Sequence, residues 1–265
     1  MKKLKLAIGN FCVTIIKFLS RKAKIDLIAL GYVENGIMKS HSLEASGEVH
    51  FIKKELSKHL NTDTPVFFDV GANLGDYTSL LAESFPQSQL FSFEPNPNTF
   101  EQLEKRCDSV AKLFNIGIGE QAGNLELFFD ASNKTSVQAT SDKKILEVIA
   151  KAEDITSVNI SIDTLDQFCE AHKIEFIHLL KIDTEGFELE ALTGAKNLLS
   201  QNKIGVIQFE FNEINIVKRR FLKDFYDMLP GYNFYRLDEH DLIPLKEWQP
   251  KHEIFMFQNI VAFPK

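Results

Sequence analysis

Only three cysteines occur in 265 residues (Cys12, Cys107 and Cys169), and no two of them form a CxxC pair. That spacing suggests neither a disulfide framework nor a thiolate zinc site, and the thiols read as reduced and buried in a cytoplasmic protein. The seven histidines form no HxxxH or mixed Cys/His cluster, so no dedicated metal site is expected. Basic residues are outnumbered, 30 Lys and Arg against 37 Asp and Glu, and no long basic tract lies outside the N-terminus. The electrostatic footprint of a nucleic-acid partner is therefore missing. A GxGxxG loop is missing as well. Gly71-Ala72-Asn73-Leu74-Gly75 carries Asn where that motif needs its middle glycine, and Lys and Arg are absent from residues 69 to 78.

What is present starts at that loop. Val66-Phe67-Phe68-Asp69-Val70 reads as an apolar strand ending near a carboxylate, followed by a small-residue turn and a helix start. A second strand, Phe91-Ser92-Phe93, ends in Glu94, nineteen residues past Gly75. Glycines let a backbone approach a ligand, and an acid at that distance suits a ribose diol. Asp69 directly before the turn would repel a dinucleotide's pyrophosphate and attract a ligand carrying an ammonium and a sulfonium. The expected cofactor is therefore S-adenosylmethionine rather than NAD.

With 44% hydrophobic residues and 23 Phe, the chain can bury one large core. Strands are expected at Val66–Val70, Gln89–Phe93, Ala111–Gly117, Ile177–Ile182 and Gly205–Phe211, with late strands at Asn233–Leu237 and Gln258–Phe263. Helices alternate with them, among them one starting at Asn96-Pro97, one over Phe187–Ser200 and one near 214–229. Alternation of this kind gives a doubly wound α/β sheet. Leu125–Phe129 also looks like a strand. The polar stretch 130–157 reads as an insertion, a mobile lid or acceptor-binding segment outside the core. Residues 1–46 form a helical extension ahead of a domain spanning 47–265. Its first 25 residues carry seven Lys or Arg and no acid, with Leu4, Ile8, Phe11, Ile15 and Leu19 in an apolar series. They are too polar and too short to span a bilayer. An amphipathic helix is expected, packed on the domain in the first instance. The alternative is weak peripheral contact with an anionic membrane, at its inner face.

Leu180-Lys181-Ile182-Asp183-Thr184-Glu185-Gly186-Phe187-Glu188 is the second dense signal. Ligands of doubly wound sheets sit beyond the carboxyl ends of the strands, so Asp183 and Glu185 should face the cofactor pocket. Alternation places Lys181 and Asp183 on one face. A lysine in a buried strand needs a partner, and Asp183 or Glu210 could supply it; a catalytic role for Lys181 is the other reading.

At these motifs the chain resembles the FkbM family of S-adenosylmethionine-dependent methyltransferases. The carriers are Asp69–Gly75, Phe93-Glu94-Pro95-Asn96, Asp163-Thr164-Leu165-Asp166-Gln167-Phe168, Leu180–Gly186 and Leu192-Thr193-Gly194-Ala195. The resemblance implies a class I methyltransferase (Rossmann-like) fold, with a seven-stranded, mostly parallel sheet whose last strand is antiparallel. It implies a cofactor site with Asp69, Gly71, Asn73 and Gly75 at the methionine end, Glu94 at the ribose hydroxyls, Asn115 at adenine and Asp183 facing the methyl group, and it counts Ala72, Tyr77, Thr78 and Asn96 among the cofactor-binding residues. The expected reaction is O-methylation of a hydroxyl on a sugar, glycan or small natural product, so the expected partner is a hydroxyl-bearing, carbohydrate-type acceptor. Asp183 is the first candidate for the base, followed by Glu185 and Glu210. Two other classes stay open, a binding or scaffold protein without turnover and a nucleotide-dependent oxidoreductase.

Overall fold

The computed structural model describes residues 2–130, 139–140, 142–152 and 154–265. Twelve strands lie among them: β1 (Val66–Val70), β2 (Gln89–Phe93), β3 (Lys112–Phe114), β4 (Gly117–Ile118), β5 (Gly123–Asp130), β6 (Ala139–Thr140), β7 (Ile155–Asp163), β8 (Ile177–Ile182), β9 (Ile204–Phe211), β10 (Tyr232–Leu237), β11 (Leu242–Pro244) and β12 (Gln258–Pro264). The main sheet runs β11-β10-β12-β9-β8-β1-β2-β3. From β3 to β9 the pairs are parallel, and β12 enters antiparallel between β9 and β10. This is the doubly wound class I methyltransferase fold with its antiparallel last strand. Its edge extends beyond seven strands because Leu242–Pro244 folds back antiparallel on β10.

The central strands are apolar on both faces because helices cover both. Phe68, Leu180, Ile182 and Phe209 enter one core cluster, and Phe67, Leu179, Val206 and Val261 the cluster on the opposite face. Successive residues of a strand serve opposite layers, so both faces are mostly apolar and a polar residue there needs a partner.

Local chemistry breaks several expected elements. The single strand over 111–117 divides into β3 and β4, which belong to different sheets. The helix over 187–200 divides into Glu188–Thr193 and Lys196–Ser200 at Gly194, where a Cβ would meet the Gly119 carbonyl oxygen at 2.1 Å. The one near 214–229 divides into Ile214–Lys218 and Leu222–Met228, the first ending at Arg219 with φ 54°. Asn96 does cap the helix Pro97–Cys107, its side chain accepting from the Asn98 amide.

A second sheet, β4-β7-β5-β6, stands against the ligand end of the first. Asp130 and Ile155–Ser157, expected in the insertion, are paired strand residues of β5 and β7. Between them Lys143–Ile145 and Leu146–Ala150 form one helical run that buries Ile145 and Leu146. The rest of the expected lid, 131–138, 141 and 153, lies outside the described residues.

The N-terminal helix spans Lys2–Ala23, and a second short helix spans Leu27–Val33. Among the described side chains of the apolar series, Phe11, Ile15 and Leu19 are not packed on the domain. Phe11 is 67% exposed and Phe18 59%, and residues 11–19 are exposed on every side of the helix, with Ser20 the first buried one after them. Residues 36–46 behave differently: Ile37, Ala45 and Ser46 are buried, and Lys39 pairs with Asp238 at 2.7 Å. Among the described residues no helix is long and apolar enough to cross a membrane.

Candidate active site

The site forms where β1, β2, β8 and β9 end. After Val70 the chain turns sharply, and the Gly71 and Ala72 amides both donate to the Phe93 carbonyl at 2.9 Å. Gly71 has φ 82°, and a Cβ there would lie 1.7 Å from the Asp183 carbonyl oxygen. Only glycine fits, because the β1 and β8 loops touch at this point. Asn73 also has positive φ, and its amide donates to Glu94 Oε2 at 3.0 Å. The other oxygen of Glu94 accepts from the Asn96 amide at 2.9 Å. Glu94 thus ties the first loop to the second. Burial pushes its carboxyl up to about 7 despite these two hydrogen bonds.

Behind the loop lies a buried polar row. Asp69 stands directly opposite Lys181 in the β1–β8 register, and Lys181 Nζ is 3.1 Å from Asp69 Oδ1 and 3.4 Å from Asp183 Oδ2. Burial works against the lysine's charge, but the carboxylates of Asp69, Asp183 and Glu48 outweigh it and its pKa is raised. Thr78 donates to Asp69 Oδ2 at 2.7 Å and meets Ser92 at 2.8 Å. The lysine's expected partner Asp183 is present; Asp69 is a second, nearer one. Each of two adjacent apolar strands carries a charge, of opposite sign, and that was the signal available for this pair.

The candidates therefore divide. Gly71, Asn73, Glu94, Asp183, Glu185 and Glu210 line one cavity of 140 Å³ at the strand ends. Asp69 (1% exposed) and Thr78 are buried behind it, and Tyr77 is buried with its hydroxyl on Gln208 Oε1 at 2.6 Å. Ala72 packs on Leu103 and Cys107, and Gly75 abuts the same cysteine. Asn96 is engaged in capping. Asn115 donates to the Glu94 and Pro95 carbonyls, outside the cavity lining. The wall opposite the loop is apolar: Ile116, Leu125, Leu127, Ile160 and Ile162, contributed largely by the second sheet. Alternation in β5 and β7 shows that Leu125 and Leu127, and Ile160 and Ile162, share faces; it could not show what those faces cover.

At the end of β8 the chain reverses through Glu185 (φ 53°) and Gly186 (φ 97°). Glu188 holds this turn, one oxygen accepting from the Thr184 amide (2.9 Å), the Thr184 hydroxyl (3.0 Å) and the Gly186 amide (3.1 Å). No property of Glu188 in the sequence separates it from any acid at a helix start. Glu210 lines the same cavity as Asp183, and burial first, then that acidic neighbour, raise its pKa. Burial together with Asp183 and Glu188 pushes Glu185 up to about 8.

A model of the methyltransferase FkbM domain matches residues 69–235. The chain belongs to the FkbM methyltransferase family. It is 22% identical to the 2-O-methyltransferase NoeI of Sinorhizobium fredii over 192 residues, covering 68% of this chain and 77% of NoeI. It is 25% identical to the hexuronic acid methyltransferase AglP of Haloferax volcanii over 146 residues, covering 54% of this chain and 55% of AglP. The crystal structure of an FkbM methyltransferase from Methylobacillus flagellatus aligns over 78% of this chain and 46% of its own, with a TM-score of 0.46 and 15% identity.

FkbM membership implies a cofactor of the S-adenosylmethionine type, and the residues present fit one. An apolar wall suits a purine and a carboxylate suits a ribose. Around Asp183 the charge is acidic, which suits a cationic sulfonium and ammonium. Asn73 Oδ1 is buried at this cavity and finds no hydrogen-bond partner among the described residues, an acceptor open to a donor from a ligand.

Proposed function

We propose that this FkbM-family protein is an S-adenosylmethionine-dependent O-methyltransferase acting on a hydroxyl of a carbohydrate or related small molecule. One observation carries the reading. Asp183 and Glu210 line both the cavity bounded by Glu94 and the apolar wall and a second, polar cavity of 580 Å³ on the other side of the Asn73 loop. A donor and an acceptor could meet across those two carboxyls. The names of NoeI and AglP, a 2-O-methyltransferase and a hexuronic acid methyltransferase, support an oxygen acceptor on a sugar.

Glu94 would hold the ribose hydroxyls and Asn73 Oδ1 a donor at the methionine end, with Ile116, Leu125 and Ile160 against the base. Bound there, S-adenosylmethionine supplies an electrophilic methyl group on a sulfonium. The protein's part is alignment and proton removal. Asp183 Oδ accepts the acceptor's hydroxyl proton, and Glu210, which lines both cavities beside it, is the alternative base. Lys181 positions Asp183 and is itself fixed by Asp69. The helical run Lys143–Ala150 closes the side over Glu185 and Glu210, with Ile145, Leu146 and Ile149 lining a third cavity there; we read it as part of a lid.

Calorimetry tests the cofactor half. S-adenosylhomocysteine should bind and NAD should not, and the reverse would return the chain to the oxidoreductase class. Transfer of a labelled methyl group to a hydroxyl tests the other half, and its absence across sugar acceptors would favour a binding protein. We also propose that the helix Lys2–Ala23 rests on an anionic lipid surface, because its apolar side chains face outward beside Lys17, Arg21 and Lys22.

A further inference from the structure

The polar cavity takes about half of its lining from chain outside the 69–235 match and the rest from the Gly71–Tyr77 loop, Lys181, Asp183 and Glu210. Ser40, Ser42, Glu44, Ser46 and Glu48 close one side, and Phe257 and Asn259 close another. Resting on the methyltransferase reading above, we propose that this cavity is the acceptor site and that it selects a polyhydroxylated molecule that is neutral or amino-bearing, against one carrying a carboxylate or phosphate.

Position comes first. The cavity shares Gly71, Asn73, Asp183 and Glu210 with the cofactor cavity, so a molecule seated in it lies against the carboxyls that would take its proton. Its 580 Å³ falls in the range of small-molecule clefts. Serine hydroxyls and the Asn259 amide offer donors and acceptors to hydroxyls, and the half-exposed Phe257 ring offers a flat apolar face to a sugar ring. Asn73 Oδ1, buried and unpartnered among the described residues, belongs to a residue of this wall too.

Charge decides the class. Glu44, Glu48, Asp76, Asp183 and Glu210 line the cavity, and Lys181 is the one cationic side chain among the lining residues. That lysine is already held by Asp69 and Asp183. Arg106 is paired with Asp76 at 2.6 Å, and Lys39, next to Ser40, with Asp238 at 2.7 Å. An anionic acceptor would face Asp183 and Glu44 with no unpaired cation among the lining residues, whereas a neutral polyol meets only hydrogen-bonding groups and an ammonium meets Glu44 on the rim. Glu48 is prepared for a neutral neighbour. It accepts from Ser46 Oγ at 2.6 Å and Gln208 Nε2 at 2.9 Å, and burial pushes its carboxyl up to about 7. This class differs from the hexuronic acid in the name of AglP.

Saturation-transfer NMR on the full chain with S-adenosylhomocysteine provides the test. The probes are methyl glucoside, methyl glucosaminide, methyl glucuronide and glucose 6-phosphate. The first two should show transfer and the anionic two none. Ser40→Trp, an exposed rim substitution, should abolish the signals while calorimetry shows S-adenosylhomocysteine affinity within about threefold of the parent, well under one decade. Glu44→Lys should weaken the glucosaminide signal and admit the glucuronide. Anionic probes binding as well as the neutral one, no probe binding to a protein that binds S-adenosylhomocysteine, or unchanged signals in Ser40→Trp would each overturn the proposal. Failure of S-adenosylhomocysteine itself to bind would instead overturn the methyltransferase reading.

Discussion

Asp183 joins strand, loop and both cavities through one side chain. Asp183 is the proton acceptor we propose, and Asp183→Asn should lower turnover by roughly 10²–10⁴-fold. Cofactor affinity should change far less, because the amide keeps the shape beside Lys181 Nζ. Near-normal turnover in Asp183→Asn with loss in Glu210→Gln would move the base to β9. Glu94 has two jobs, facing the cofactor cavity and tying the Asn73 and Asn96 amides together. Glu94→Ala should therefore weaken S-adenosylhomocysteine by about 1–3 kcal/mol and also lower the melting temperature of the free protein. Unchanged affinity by calorimetry would show that the ribose is held elsewhere.

The acids also set a pH dependence whose sign is opposite to ordinary acid denaturation. Glu48 and Glu94 are raised to about 7 and Glu185 to about 8, above the ordinary 4.5. A carboxyl raised in the folded state stabilises the fold fully below its unfolded value, and that contribution is lost as the pH climbs through the folded value. The ligand-free protein should therefore lose melting temperature from about pH 5 to about pH 8. Melts that rise steadily across that range would contradict the burial of these groups.

Among the elements, the N-terminal helix makes the sharpest claim. It leaves Phe11, Ile15, Phe18 and Leu19 in solvent, in a protein of net charge −7 whose first 25 residues hold no acid. The full chain should sediment with vesicles rich in phosphatidylserine and less with phosphatidylcholine alone, and salt should weaken the binding. Phe18→Ser together with Leu19→Ser should abolish it. Salt-insensitive behaviour without sedimentation would leave the apolar stripe to some other contact. The helical run Lys143–Ala150 carries a second expectation: its amides should exchange quickly in the free protein and slow when S-adenosylhomocysteine and an acceptor are present. Protection equal to β8 in the free protein would remove it as a lid.

The whole molecule is one sheet whose ligand end is enclosed by a second sheet, the 143–150 run and the 40–48 segment. Binding at that junction stabilises everything that meets there. S-adenosylhomocysteine at a hundredfold its Kd should raise unfolding free energy by about 2.7 kcal/mol, and NAD should leave the melting curve unmoved. Equal stabilisation by both would mean a site that reads only the adenosine they share.

What the sequence determined by itself follows from burial on both faces. A central parallel strand is covered on both faces and so is mostly apolar, a composition read locally, and Val66–Val70, Gln89–Phe93 and Ile177–Ile182 are legible to the residue. Carboxylates at strand ends are legible for the same reason, and Glu94 and Asp183 stand at the cavity. Which way a charge faces was not. Asp69 looks like a ligand group beside its glycine loop, but the β1–β8 register sets it against Lys181, and neither strand records the other's alignment. Nor does Gly71 owe its missing side chain to a ligand in this structure; the Asp183 carbonyl occupies that space. The second sheet and the acceptor-side cavity are tertiary in the same sense. Glu48 and Gln208 meet at 2.9 Å across 160 residues of chain. Contacts between distant segments leave no period and no local composition to read, so only the folded chain could bring them together.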